Sequence, residues 1–347
     1  MSLERTDEPA ARLRVAVVGV GALGCLLGAC LSAAPEDIRP ALTLLGHWPA
    51  QLAAIRAGGL WLEHPDGHRT HHPLAVADDP AAAGPVDVAL VAVKSRQTEE
   101  AARAIARLLD ADGLALTLQN GLNNRATLRR VLGESRVALG VTAQGATVLG
   151  PGLVRHAGHG PTYIGRDPAL GPAQQARLPQ LAALFAAAGL ETHLVDNTDG
   201  LVWGKLAVNA AINPLTALLR VPNGFLAEHE ALVGLMGRAA REVGDVAAAQ
   251  GIALPFDDPA ERALTVARAT AANRSSMLQD VLRGAPTEIG AICGAVVRAG
   301  REVGAPTPVN AALCRLVRRL EDGRAAPLEA GDVRGLLALL EVEGALE

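Results

Sequence analysis

Short apolar runs alternate with segments of helical periodicity through the first half of the chain. Arg14–Val18 is an apolar β run, followed by Gly19–Gly24 and a helical pattern to about Ala33. Ala41–Leu45 reads as a second strand and Gln51–Ala57 as a short helix. Leu60–Pro73 reads as a hairpin turning at Pro65-Asp66-Gly67. Val86–Val93 is apolar except for Asp87, as in a strand covered on both faces of a parallel sheet. Thr98–Leu109 and Asn124–Val131 read as helices, Leu114–Leu118 and Arg136–Val141 as strands. The repeated β-α order predicts a doubly wound α/β sheet of the Rossmann type.

The texture then changes. Ala143–Gly165 is glycine-rich β material, Gln174–Ala188 a helix and Glu191–Val195 a last strand. Beyond Asp196 the pattern is helical: Leu201–Leu219, Glu228–Gln250, Pro259–Ala271, Thr287–Val303, Asn310–Asp322 and a terminal Asp332–Leu346. The expected organisation is a disordered leader at 1–11, a dinucleotide-binding domain at 12–195 and an all-helical substrate and dimerisation domain at 196–347.

One helix breaks the amphipathic rule. In Trp203–Ala217, Lys205, Asn209 and Asn213 recur every four residues and share one narrow face, while nearly everything else is apolar. A buried ammonium is costly unless paired. The row makes sense if it faces a cleft, where Lys205 donates a proton to a carbonyl oxygen gaining negative charge and the amides hold the other oxygens. Pro214 removes one helix hydrogen bond and is expected to kink the helix.

Composition narrows the classes. The 347 residues carry a formal net charge of −4, without the basic excess of a nucleic-acid binder. Cys25, Cys30, Cys293 and Cys314 form no CxxC pair and no metal spacing, and read as free buried thiols of a reducing, cytoplasmic compartment. Val15–Ala34 resembles a signal peptide or a membrane span in length, but its glycines and the acidic Glu4, Asp7 and Glu8 upstream argue against both. The histidines of Glu63–Pro73 read as a solvated hairpin, and no metal is expected. The apolar helical domain points weakly to a homodimer.

Gly19-Val20-Gly21-Ala22-Leu23-Gly24 follows a strand and opens a helix, the context in which GxGxxG binds a dinucleotide pyrophosphate. Leu45-Gly46-His47-Trp48, at the end of the second strand, offers no carboxylate for a ribose, which tilts the expectation to NADP(H), with His47 a poor substitute for an arginine. Lys94 and Asn120 lie at carboxyl ends of strands, where nicotinamide and substrate are expected to meet. Downstream, Asn273, Ser276 and Glu288 add polar groups; each alone reads as a cap or surface residue.

Together, GVGALG, VAVKSRQT, TLQNG, WGKLAVNAAINPLTAL, NRSSMLQDV and TEIGAICGAVVRAGREVGAPTPVN resemble the ketopantoate reductase (2-dehydropantoate 2-reductase) family, in order from about residue 14 to 322. The resemblance implies a Rossmann domain followed by a helical domain of the hydroxyacid-dehydrogenase type. It implies NADPH-dependent reduction of ketopantoate to pantoate, on the route to pantothenate and coenzyme A. It implies Lys205 as general acid and Glu288 as its supporting carboxylate. Asn120, Asn209, Asn213, Asn273 and Ser276 match substrate positions, and Lys94 a lysine near the cofactor. The chain departs from the family at His47, where an arginine is common, and at Gly290 and Cys293, where EID and NG are usual. The departures at Gly290 and Cys293 keep open a reductase of another 2-ketoacid or β-hydroxyacid; a dinucleotide-binding sensor without turnover is a further alternative, against which Lys205, Asn209, Ser276 and Glu288 together argue.

Overall fold

The computed structural model describes residues 12–324 and 327–345. The leader expected at 1–11 lies outside them. The chain divides into two compact units. One runs up to Gln119 and resumes over Arg125–Asp196. The other joins Asn120–Asn124 to the residues from Asn197 onward.

Among the described residues the first unit holds twelve strands: β1 (Arg14–Val18), β2 (Ala41–Leu45), β3 (Leu60–Glu63), β4 (Arg69–His72), β5 (Ala75–Ala77), β6 (Val86–Val91), β7 (Leu109–Thr117), β8 (Val137–Thr142), β9 (Gly145–Gly150), β10 (Leu153–Gly158), β11 (Thr162–Gly165) and β12 (Thr192–Val195). Eight form one sheet in the order β12-β11-β8-β7-β6-β1-β2-β5. Every neighbouring pair is parallel except β11 against β8. The α/β class expected from the alternating pattern is the observed one. Period-two alternation divides the strands between two cores: Val15 and Val17 face one side with Leu26 and Leu27, Ala16 and Val18 the other with Ala102 and Ile105.

Leu60–Pro73 does form a hairpin, but β3 and β4 belong to a separate sheet, β4-β3-β10-β9, with β10 parallel to β3. Alternation along a strand does not say which sheet receives it. The helix after Thr98 stops at Ala106, and Leu109 already starts β7. Val15–Ala34 is strand, turn and helix, and among the described residues no helix is long and apolar enough to cross a membrane.

The second unit is helical. Thr198–Leu219 passes through Pro214 and packs on Glu230–Ala249, Pro259–Ala269, Ser276–Leu282 and Pro308–Glu321. The helix expected from Thr287 begins only at Cys293, because the preceding residues turn: the Glu288 carbonyl accepts from the amides of Ala291 and Ile292. The terminal helix is Val333–Val342, shorter than expected.

Candidate active site and dinucleotide turn

The glycine turn follows from steric necessity. Gly19 has φ 122°, and a Cβ there would lie 2.8 Å from the Ala92 carbonyl carbon. A Cβ on Gly24 would lie 1.8 Å from the Gly19 oxygen. Gly21 is different: a Cβ there would meet nothing within 4 Å, and no side chain caps the helix Ala22–Ser32 behind it. The uncapped first turn carries Ala22 and Leu23 and ends at the helix's positive pole, chemistry that suits a pyrophosphate. The open space at Gly21 and the bare first turn fit a dinucleotide.

Beyond the strand ends, His47 is exposed two residues after β2, its Nε2 3.8 Å from Glu100 Oε1. Lys94 is half-buried between β6 and the short 3-10 turn Ser95–Gln97. Gln119 fastens that loop: its Nε2 donates to the Val93 carbonyl at 2.9 Å and to Thr98 Oγ1 at 2.9 Å. Gln119 stands beside Asn120 in TLQNG, and that adjacency is its only signal in the sequence. Among the described residues no cluster of three His, Cys, Asp or Glu could hold a metal ion.

Lys205 stands in the second unit on the helix Thr198–Leu219, whose Asn197 cap accepts from Gly200 N at 3.0 Å. Gly204 lets Pro255 and Phe256 close on that helix; a Cβ would lie 2.8 Å from Pro255 Cδ. Lys205 and Asn209 are half-buried and Asn213 is buried, on successive turns. Burial pulls the Lys205 ammonium down to about 8 from its ordinary 10.5, and the charge of Glu288 acts in the opposite direction.

Two segments distant in sequence meet at that carboxylate. Gly121 has φ 83° and lies against the backbone of Ala291, where a Cβ would come within 2.5 Å of the carbonyl oxygen. Leu122 N donates to the same oxygen at 3.2 Å. This docking brings Asn120 Nδ2 to Glu288 Oε2 at 3.5 Å. Glu288 is buried. Lys205, Glu288 and Asn120 therefore form one electrostatic group.

The remaining candidates are placed less uniformly. Ser275, not Ser276, caps the helix Ser276–Leu282, accepting from Leu278 N at 3.1 Å and pairing with Thr216 Oγ1 at 2.7 Å. That pair ties the segment to the lysine helix and leaves Ser276 half-buried at the first helical position. Asn273 is exposed, and its carbonyl accepts from Asn223 N at 2.9 Å. Asp280, buried and paired with Arg283 at 2.9 Å, was not anticipated.

Residues 15–169 match the model of the family "Ketopantoate reductase PanE/ApbA", and residues 197–321 that of its C-terminal domain. The chain belongs to the ketopantoate reductase family. It is 41% identical over 306 residues to the 2-dehydropantoate 2-reductase of Halobacterium salinarum, covering 88% of this chain and 98% of that one. The enzyme of the same name from Archaeoglobus fulgidus is 36% identical, with coverages of 89% and 98%. The crystal structure of a ketopantoate reductase from Ralstonia eutropha JMP134 is similar at TM-score 0.80 and 36% identity, covering 89% of this chain and 99% of that one. A D-mandelate dehydrogenase with NADH and anilino(oxo)acetate is similar at TM-score 0.80 and 25% identity, with coverages of 89% and 98%.

Of the two departures downstream of Glu288, Cys293 has a structural explanation. Pro214 has no N–H, so the Ala210 carbonyl one turn earlier loses its usual helical donor. Cys293 Sγ lies 3.9 Å from that oxygen and donates a weak hydrogen bond to it. Burial holds the thiol well above its ordinary range, so it stays protonated to donate.

Proposed function

We propose that this oxidoreductase of the ketopantoate reductase family reduces ketopantoate to pantoate. The observation that carries the reading is Lys205, an ammonium brought by burial to about 8 on a row with Asn209 and Asn213 and under the charge of Glu288. A general acid works best when its pKa lies near the operating pH.

When bound, the nicotinamide cofactor supplies the hydride that adds to the ketone carbon. The carbonyl π pair then moves onto oxygen, and Lys205 Nζ–H gives that oxygen its proton, so the product is the 2-hydroxyacid. Lys205 also stabilises the developing alkoxide before the proton moves. Glu288 supports the ammonium form, and Asn120 orients the carboxylate through its 3.5 Å contact. Asn209, Asn213 and Ser276 offer donors for the substrate carboxylate and hydroxyl, with Asn273 the most exposed of the set. In the first unit, Gly19, Gly21, Ala22, Leu23 and Gly24 suit the pyrophosphate, with His47 and Lys94 beyond the strand ends. Because Leu45–Trp48 brings no carboxylate of its own, the turn after β2 does not by itself exclude a 2′-phosphate, and NADPH is among the forms we expect to be accepted. A homodimer built through the helical unit is the expected assembly.

A second reading is favoured by the likeness to D-mandelate dehydrogenase, whose structure holds NADH and an aryl oxoacetate. The substrate is then a 2-ketoacid with a bulkier side chain. Oxidation of NADPH or NADH, followed with ketopantoate and with a panel of aliphatic and aromatic 2-ketoacids, separates the two. The highest kcat/KM for ketopantoate supports the first; ketopantoate ranking low moves the assignment to the second. Tight dinucleotide binding with no turnover of any ketoacid overturns both.

A further inference from the structure

The sheet brings to the end of β2 the carboxylates that β2 itself lacks. Gly19 N donates to the Leu45 carbonyl at 2.8 Å, and Gly46 packs against Val20, so the chain leaves β2 beside the glycine turn. Gly46 N donates in turn to the Ala77 carbonyl at 3.0 Å, which puts Asp78, the residue after β5, next to His47. The helix Thr98–Ala106 closes the other side with Glu100. The result is a cleft of about 320 Å³ lined by His47, Asp78, Asp79, Glu100, Arg103 and Arg107.

The charges in and beside this cleft are already matched to one another. Arg56 Nη2 is 3.3 Å from Asp78 Oδ2, Arg107 Nη2 is 3.4 Å from Asp79 Oδ1, and Arg103 Nη2 is 2.7 Å from Glu99 Oε1. Each of the three guanidiniums has a carboxylate. Glu100 is the remaining acid of the lining, and it faces His47 at 3.8 Å. A ribose 2′-phosphate entering here would have to draw a guanidinium off its partner and sit beside Glu100. A ribose diol would find in Glu100 and Asp78 the hydrogen-bond acceptors that an acidic residue at the end of the second strand ordinarily supplies.

We infer that this cleft receives the adenosine ribose of the dinucleotide and that Glu100, acting against His47, makes the chain dual-specific, so that NADH is bound nearly as well as NADPH. The inference rests on the dinucleotide reading above but not on the identity of the ketoacid.

Calorimetric titration of the full chain with NADPH and with NADH, without ketoacid, tests it. The two Kd values are expected within about tenfold of each other, a gap of at most about 1.4 kcal/mol. In Glu100→Gln the ratio should move toward NADPH by roughly two- to fivefold, the size of an exposed charge interaction. In His47→Arg it should move the same way by about tenfold or more, since a guanidinium grips phosphate in two-pronged fashion. A wild-type preference for NADPH above about a hundredfold overturns the inference, as does an unchanged ratio in both variants. Binding of neither nucleotide overturns it together with the dinucleotide reading. Binding of both without ketopantoate turnover sinks only the ketopantoate assignment and leaves the cleft as proposed.

Discussion

Replacing Glu288 by glutamine removes one charge from the lysine site while keeping the side chain's size and an oxygen for Asn120. Two forces act on Lys205: burial lowers its pKa, and Glu288 raises it, with burial the larger, to leave about 8. Two unit charges at 4 Å interact by roughly 4 kcal/mol at an effective dielectric of about 20, and by about half that at twice the distance. Part of that interaction is offset when the neutral amide reorganises, so a fall of about 1–1.5 pKa units is the expected effect of Glu288→Gln. The basic limb of the log kcat/KM profile reports the ammonium of the free enzyme. It should lie near pH 8 in the wild type. In Glu288→Gln it should move to roughly pH 6.5–7, so that at pH 8 the protonated fraction falls from about half to about a tenth or less. NADPH oxidation with ketopantoate, followed from acid to alkaline pH, measures both limbs. A loss uniform across pH would mean that Glu288 holds substrate without tuning Lys205. A basic limb that stays in place in Glu288→Gln, or survives in Lys205→Ala, would refute the assignment of Lys205 as the titrating acid.

Lys205→Met should cut kcat by roughly 10²–10⁴-fold and yet raise Tm at pH 7. The lysine's folded pKa lies below its unfolded value, so its ionisation costs stability below about pH 8, and that cost fades as pH rises toward 10.5. The Tm gain of the methionine variant should shrink over the same interval, and calorimetric scans at pH 7 and pH 10 check it. Gly21→Ala should leave Tm nearly unchanged but weaken dinucleotide binding, whereas Gly24→Ala should lower Tm by several degrees, because its Cβ collides with the Gly19 oxygen; thermal shift with and without NADPH reads both. Cys293→Ala should destabilise by roughly 1–2 kcal/mol, mostly by emptying the space of a fully buried thiol. Denaturant titration would show this, and Cys293→Ser should recover part of it.

The sequence made the strand cores and the lysine row legible because both are local. Val15–Val18 and Val86–Val91 are apolar runs bounded by turns, and Lys205, Asn209 and Asn213 differ from their neighbours within one helix. What stayed hidden depends on contacts between remote segments. Asn120 and Glu288 are 168 positions apart, and their meeting depends on Gly121 accepting a left-handed backbone against Ala291. The helical start expected at Thr287 failed for the same reason, since its first residues are used as a turn that receives the Asn120 loop. Ser275 and Ser276 look alike in NRSSM, and only the bond to Thr216 shows which of them is the cap. The acidic neighbours of His47, Glu100 and Asp78, are carried by other elements and so do not show in the sequence around it.

The departures at Gly290 and Cys293 therefore do not bear equally on substrate choice. Cys293 meets a need created inside the chain, the carbonyl that Pro214 leaves without its helical donor, and a buried, protonated thiol meets it without adding charge near Lys205. Gly290 removes an acid from the family pattern, two residues beyond Glu288. The space its side chain would fill lies 3.4 Å from Arg318 Nη2, and its carbonyl accepts from Arg298 Nη2 at 3.2 Å. Losing a carboxylate there leaves the surroundings of the Glu288 turn more positive, while Lys205, Glu288 and Asn120, the residues proposed to handle the ketone, are all retained. Reaction type and substrate range are thus separable in this chain. On the proposed mechanism the first depends on the Lys205–Glu288–Asn120 group, and the second is where the ketoacid panel should differ from that of relatives carrying an acid at position 290.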